Sequence, residues 1–251
     1  MASDPRLRVS VAALCRVVFP HPQTGELLLA MERRTAWING AVRVQAQPFG
    51  GALRILDLDR FRLAIGEFDY DSPRSQHEQD LRILIPPPAW EPARDFILSQ
   101  LQSDQSEVIE TGPCRELEEE FVESAGIALL PAHYIYHPLR TFVQNQPQPT
   151  SSSRMPGAAT VRIYQIFEVA ILDAQICHTL LENSQHSTDE DLQASADADL
   201  ARGGHGRANG SLVIPFDEVK KAFLNLPPSE DSQTQMVLGH RFNATSSLLL
   251  E

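Results

Sequence analysis

No stretch of this chain reaches the ~18 consecutive apolar residues that a membrane-spanning helix needs. The best run, residues 9–19, is interrupted by Ser10 and Arg16. The opening Met1-Ala-Ser-Asp-Pro-Arg has no basic region followed by an apolar stretch, so no secretory leader is expected and a cytoplasmic protein is. Cysteine is scarce: Cys15, Cys114 and Cys177 are odd in number and far apart, without metal-ligand spacing, a usage that fits a reducing compartment. Positive charge is in deficit, with 21 Lys and Arg against 33 Asp and Glu and a net charge of −12. A field of that sign repels phosphate backbones and anionic lipids, so neither nucleic acid nor a membrane is an expected partner. An anionic small substrate would need a local Arg, Lys or metal patch. The eight histidines form no HxH or HExxH spacing, and Gly-x-Ser-x-Gly, a P-loop and a dinucleotide fingerprint are all missing.

What remains is an ordinary globular composition, 42% hydrophobic and 22% charged, in a chain long enough to bury a sizeable core without a disulfide or metal staple. Val9, Val11, Ala13, Cys15 and Val17 share one face of a strand, and their neighbours are mostly apolar too, so burial on both sides is expected. His21-Pro-Gln-Thr-Gly25 reads as a turn, and residues 26–33 as the second strand of a hairpin. Residues 35–51 read as a loop, a short strand and a Gly-Gly turn, and residues 61–70 as a strand. A helix is expected over 93–101. A second should begin near Gly112-Pro113, with Thr111 as N-cap, and stop at Gly126. Strands are expected at 133–143 and 159–171, with a mobile loop over 144–157 between them. Residues 177–181 read as helical. Residues 183–210 are polar, acidic and Gly-rich, with too little apolar surface to offset ordering entropy, and read as a flexible loop. A short strand at 212–215 and a helix at 216–224 follow.

The informative segment is Arg115-Glu116-Leu117-Glu118-Glu119-Glu120-Phe121. On a helix, Glu116, Glu119 and Glu120 stand at i, i+3 and i+4 and share a face, while Cys114, Leu117 and Phe121 form a separate apolar stripe. Like charges at that spacing repel by a few tenths of a kcal/mol per exposed pair. The row therefore calls for a cation against it, and its oxygen donors suit Mg²⁺ or Mn²⁺. Glu-rich helices are usually only solvated surfaces. The pattern R-E-U-x-E-E, with U a large aliphatic residue, nevertheless arises by chance only roughly once in a thousand chains of this length.

With these residues the sequence resembles the Nudix hydrolases, whose box runs G-x5-E-x7-R-E-U-x-E-E-x-G-U. Arg115, Glu116, Leu117, Glu119 and Glu120 match its second half, and Glu107 stands eight residues before Arg115 as the box has it. The first half is interrupted. Leu101 occupies the box-glycine position, and the nearest substitute is Gly51 of Pro48-Phe-Gly-Gly51, with 55 residues between it and Glu107 where the box has 5. Val122 replaces the second glycine, and Gly126-Ile127 supplies the Gly-aliphatic pair about one helical turn later.

The resemblance implies a Nudix-like α/β/α sandwich with a mixed sheet. One domain would span 1–251, with a large insertion at 52–106 and the acidic loop at 183–210. It implies a metal-dependent hydrolase that cleaves the diphosphate linkage of a nucleoside diphosphate derivative. Glu116, Glu119 and Glu120 would hold Mg²⁺ or Mn²⁺, Glu119 and Glu120 would be catalytic, and Arg115 would orient a glutamate. Arg33 and Gly51 are the candidate substrate contacts, with Arg34 beside them. Asp189, Glu190 and Asp191 are candidates for the general base. The expected partner is a small nucleotide, and a homodimer is compatible with the reading. The alternative from another class is a non-catalytic Nudix-fold nucleotide-binding or regulatory module, and a third is an unrelated α/β domain with an acidic helix.

Overall fold

The doubly apolar first segment becomes one long strand, β1 (Leu7–Pro20), buried along almost its whole length. The computed structural model describes residues 6–38, 40–103, 105–150, 155–186, 188–223 and 235–250. After β1 come β2 (Leu27–Ile38), β3 (Ala41–Gln47), α1 (Leu58–Ile65), β4 (Asp69–Tyr70), α2 (Pro73–Glu78), β5 (Arg82–Ile85), α3 (Trp90–Leu101) and α4 (Cys114–Ala125). The chain continues through β6 (Tyr134–Pro149), β7 (Ala159–Ile171), α5 (Ala174–His186), α6 (Asp189–Ala201), β8 (Asn209–Pro215), α7 (Phe216–Phe223), β9 (Gln235–Val237) and β10 (His240–Phe242). This is an α/β fold. No helix among the described residues is long and apolar enough to cross a membrane.

The chain divides into two compact units: Met1–Ala13, Gly51–Pro113 and Leu139–Gln165 form one, and Leu14–Gly50, Cys114–Pro138 and Ile166–Glu251 the other. In the first unit, β5 runs antiparallel to the start of β1, with Leu7 opposite Ile85, and β4 runs antiparallel to β5. Its core closes on Phe61, whose ring lies 5.6 Å from Phe68 and 6.0 Å from Phe96. In the same unit, Arg8 donates from Nε and Nη2 to Asp71 Oδ2 at 2.9 and 2.7 Å, with both side chains buried.

In the second unit, β2 is the hub. It pairs antiparallel with β1, with β3 and with β8. β10 joins β3 in parallel, which makes the sheet mixed, and β9 adds antiparallel to β10. The register of β2 on β8 is unbroken from Leu28↔Pro215 to Arg34↔Asn209, so side chains alternate strictly between faces. Glu32 on one face meets Ser124 of α4, and Arg33 on the other meets Asp189 of α6. Helices therefore lie on both faces of β2, the layering expected of an α/β/α sandwich.

Several expected elements differ. Residues 61–70, expected as a strand, are mostly helix α1: Asp57 caps it by accepting from Arg60 N–H, Gly66 (φ 85°) ends it, and Phe61 and Ile65 bury at a spacing of four. Helix α4 starts at Cys114, so Thr111 is not its N-cap; Gly126, at φ 67°, follows its end as expected. The mobile loop expected over 144–157 is strand β6 as far as Pro149, with Gln144 buried and accepting from Arg162 Nη1 at 2.9 Å; residues 151–154 lie outside those described. The flexible loop expected over 183–210 contains the end of α5 and all of α6. Thr188 and Asp191 cap α6 reciprocally, three acids in its first turn complement the helix dipole, and Leu192 and Ala196 anchor it. Of the helix expected at 216–224, α7 covers the part to Phe223, and residue 224 lies outside those described.

Candidate active site

Helix α4 is held by the stripe read from its sequence. Leu117 and Phe121 are fully buried, and the Phe121 ring lies 4.7 Å from that of Phe49, just past the end of β3. That contact brings the following residue, Gly50, beneath the helix, where its N–H donates a short hydrogen bond to the Glu120 carboxylate. Gly50 takes φ 128°, a conformation side-chain-bearing residues rarely adopt, so the position requires glycine. Gly51 uses its carbonyl to accept from Ala13 N–H at 2.9 Å.

The sequence-predicted acids do not all turn the same way. Glu116 is mostly buried and bonded to Arg115 Nη1. Glu120 turns inward onto Gly50. Glu119 keeps over half its side chain in solvent, 54% exposed, and pairs with Arg115 Nη1 at 3.5 Å. Arg115 thus bridges two of the glutamates. Glu107 lies outside the helix, exposed, and pairs with Arg60 at 2.8 Å.

A fourth acid, Glu32 of β2, completes the cluster. Its side chain is only 3% exposed, and it accepts from Gln47 Nε2 at 2.6 Å and from Ser124 Oγ at 2.9 Å, with Arg34 3.8 Å away. Burial pushes the Glu32 carboxyl above the usual carboxylate range, against the pull of Arg34, Ser124 and Gln47. Glu120 is pushed well above that range, first by burial and then by the negative charge of Glu32. The Gly50 N–H and Arg34 oppose the shift, and Glu116 adds to it. Sequence reasoning missed Glu32, which directly follows the apolar run Leu27–Met31.

The donor set suits a hard divalent cation, because oxygen ligands are what such ions prefer and the mutual repulsion that raises Glu120 is what a cation relieves. Among the described residues, however, no three His, Cys, Asp or Glu side chains are already closed on one point. A bound ion would draw Glu120 from Gly50 or Glu119 inward from solvent.

The model of one family, the SMODS-associated NUDIX domain, matches residues 6–214. The chain belongs to that family. Neither the curated proteins nor the solved structures yield a match. Within this Nudix domain the box-like helix is α4, and its carboxylates meet the Gly-Gly turn through Gly50 despite the long interval in sequence.

Of the other expected contacts of the Nudix domain, Arg34 stands beside Glu32 in this cluster, whereas Arg33 and Asp189 lie apart from it. Arg33, on the opposite face of β2 from Glu32, is 3.5 Å from Asp189 and donates to the Ser184 carbonyl at 3.3 Å. Asp191 is taken up as the reciprocal cap of Thr188. His240, whose Nδ1 lies 3.4 Å from it, and then Arg33 hold Asp189 below the usual carboxylate range against the opposing effect of burial. The buried Cys15 thiol is pushed well up, first by burial and then by Glu120, so it is an inert wall and not a nucleophile.

Gly50→Ala is expected to destabilise the protein by about 1–3 kcal/mol through its φ alone. Urea denaturation checks this. A change under a few tenths of a kcal/mol would mean that the turn relaxes freely and does not fix Glu120.

Proposed function

We propose that this Nudix domain hydrolyses the diphosphate linkage of a nucleoside diphosphate derivative with the help of Mg²⁺ or Mn²⁺. The observation that carries the reading is the approach of Glu32 and Glu116 to Glu120, whose buried carboxylate accepts from the N–H of Gly50 and is raised further by the charge of both. Glu120, Glu116 and, after swinging in from solvent, Glu119 would hold the ion. Once bound, the ion would draw charge from the bridging phosphates and lower the pKa of an attacking water. Arg115 acts as a positioning residue that fixes Glu116. The Glu32–Glu120 pair, both of whose carboxyls burial raises above the usual carboxylate range, is the candidate for proton transfer. We also propose that the protein works in the cytoplasm on a small molecule and not on nucleic acid or membranes, in keeping with its net charge of −12.

A panel of nucleoside diphosphate compounds tested with Mg²⁺ and with Mn²⁺, following nucleotide or phosphate release, examines this directly. Turnover that stops on adding EDTA is the expected result. A second reading, a nucleotide-binding module without turnover, is favoured by one observation: the Glu120 carboxylate is already engaged by Gly50. Nucleotide binding by calorimetry with no release from any compound in the panel would select that module over the enzyme.

A further inference from the structure

A buried polar row crosses the sheet of the second unit at Glu32. In the strand register Glu32 of β2 stands directly opposite Gln47 on β3 and directly opposite Ser211 on β8. Residues opposed in an antiparallel pair point to the same face, with Cβ atoms about 4.5–5.5 Å apart. All three side chains therefore turn to the face that Ser124 of α4 covers. All three are buried, Ser211 completely.

The row is only partly matched. Gln47 donates to Oε2 of Glu32, Ser124 donates to Oε1, and Arg34 stands 3.8 Å away. Among the described residues the Ser211 Oγ has no hydrogen-bond partner, although it is cut off from solvent. A hydroxyl desolvated without a bond costs stability that an alanine at the same place would not. The neighbouring β8 residues Leu212 and Ile214 are buried too, and they are apolar. Stability therefore gives no reason for a serine at this position. The carboxylate opposite gives one of another kind. It has acceptor sites for about four hydrogen bonds. Two are taken, and the nearby negative charge of Glu120 works against its own.

We propose that Ser211 is a positioning residue of the hydrolysis: it donates to the Glu32 carboxylate once Glu120 has turned to the ion, and so fixes Glu32 as the acceptor of the proton that the attacking water gives up. This rests on the reading of Glu32 and Glu120 as the proton-transfer pair. Drawing Glu120 to a cation removes the repulsion, and a fully charged Glu32 makes the bond from Ser211 worth more. Donors from β3, α4 and β8 then hold one carboxylate from three elements. The change is a rotation of side chains, and the strand register stays as it is.

Ser211→Ala tests this on the full chain. With the compound of the panel that is cleaved fastest, kcat should fall about tenfold while KM stays unchanged. Ser211→Thr keeps the hydroxyl on a residue that strands favour and should retain most of the rate. If threonine does not fit, Ser211→Cys, with its weaker donor, should fall between serine and alanine. In a Glu32→Gln background Ser211→Ala should lower the rate no further, since the two changes break one contact. Thermal melts need no turnover. Without metal, Ser211→Ala should melt at or above wild type. With Mn²⁺ its gain in Tm should be smaller than that of wild type by about 2–4 °C, the shift one such contact gives in a chain of this length. A wild-type kcat together with a wild-type Mn²⁺ gain in Ser211→Ala overturns the proposal. So does a lower melting point without metal, or an undiminished loss of rate in the Glu32→Gln background. If nothing in the panel is cleaved, the hydrolase reading fails by itself and the melts decide. A reduced Mn²⁺ gain in Ser211→Ala then supports the contact with Glu32, and an equal gain, or none in wild type, overturns it.

Discussion

Glu120→Gln is expected to lower turnover of a nucleoside diphosphate derivative about a hundredfold or more, while the protein becomes no less stable. Glutamine keeps the size of the side chain and an oxygen that can accept from Gly50, so the helix and the turn remain joined. What it removes is the charge. The folded-state pKa of Glu120 is raised, first by burial and then by Glu32. A carboxyl raised on folding makes the folded state hold more protons than the unfolded one, so stability falls as pH rises above the unfolded value of ~4.3. At neutral pH the wild type bears that loss and the variant does not. Thermal melts should therefore place Glu120→Gln at or above wild type at pH 7, with the gap closing toward pH 4. A variant that loses activity and stability together would identify the acid row as a structural ion-pair cluster.

The largest loss of stability is expected in the other unit. Asp71→Ala should cost about 3–5 kcal/mol, because it strands the buried Arg8 guanidinium without its anion. Asp71 accepts both nitrogens of Arg8 on Oδ2, and on Oδ1 the hydroxyls of Ser72 at 3.0 Å and Ser75 at 2.6 Å. Burial works against the charged form of Asp71, but the bonds from Ser75 and Arg8 outweigh it and hold its pKa below the usual value. Burial likewise pulls Arg8 down, with Asp71 opposing. A carboxyl depressed on folding contributes stability that is complete above its unfolded pKa of ~3.9 and fades as pH falls through the lower folded value. Urea denaturation at pH 7 should show the deficit, and an acid series should narrow it below about pH 4. An apolar double replacement, Arg8→Met with Asp71→Leu, should recover most of the loss. If Asp71→Ala alone is neutral, the pair does not organise this unit.

Helix α4 was legible because two independent patterns coincide in it: the acids at i, i+3 and i+4, and the apolar stripe of Leu117 and Phe121 that the core then buries. The long β1 was legible for a similar reason, since few other structures use so continuous an apolar run. Glu32 was not legible. Its burial depends on Gln47 and Ser124, which lie 15 and 92 residues away in sequence, and nothing in its immediate neighbours foretells them. Nor does the sequence reveal that Arg33 parts from the glutamates, although period-two alternation dictates it once Glu32 is known to face α4. The error at α1 was one of period. Phe61 and Ile65 repeat at four, and that spacing was outweighed by an imperfect alternation around it. At α6 the low apolar content argues for a loop through ordering entropy, but the reciprocal cap of Thr188 and Asp191 starts a helix that Leu192 and Ala196 then anchor.

The unbroken pairing of β2 with β8 also limits how this gene can change. Loss or gain of a single residue between the turn at His21–Gly25 and Glu32, if absorbed by sliding the strand, would invert every side chain beyond it. The acid would then be driven against Asp189, like charge against like, and the buried Arg33 would be parted from its partner. Seven consecutive residue pairs with β8 stand against such a slip. Insertions and deletions should therefore be tolerated in the hairpin turn only where it can bulge outward, and in β2 itself only in multiples of two.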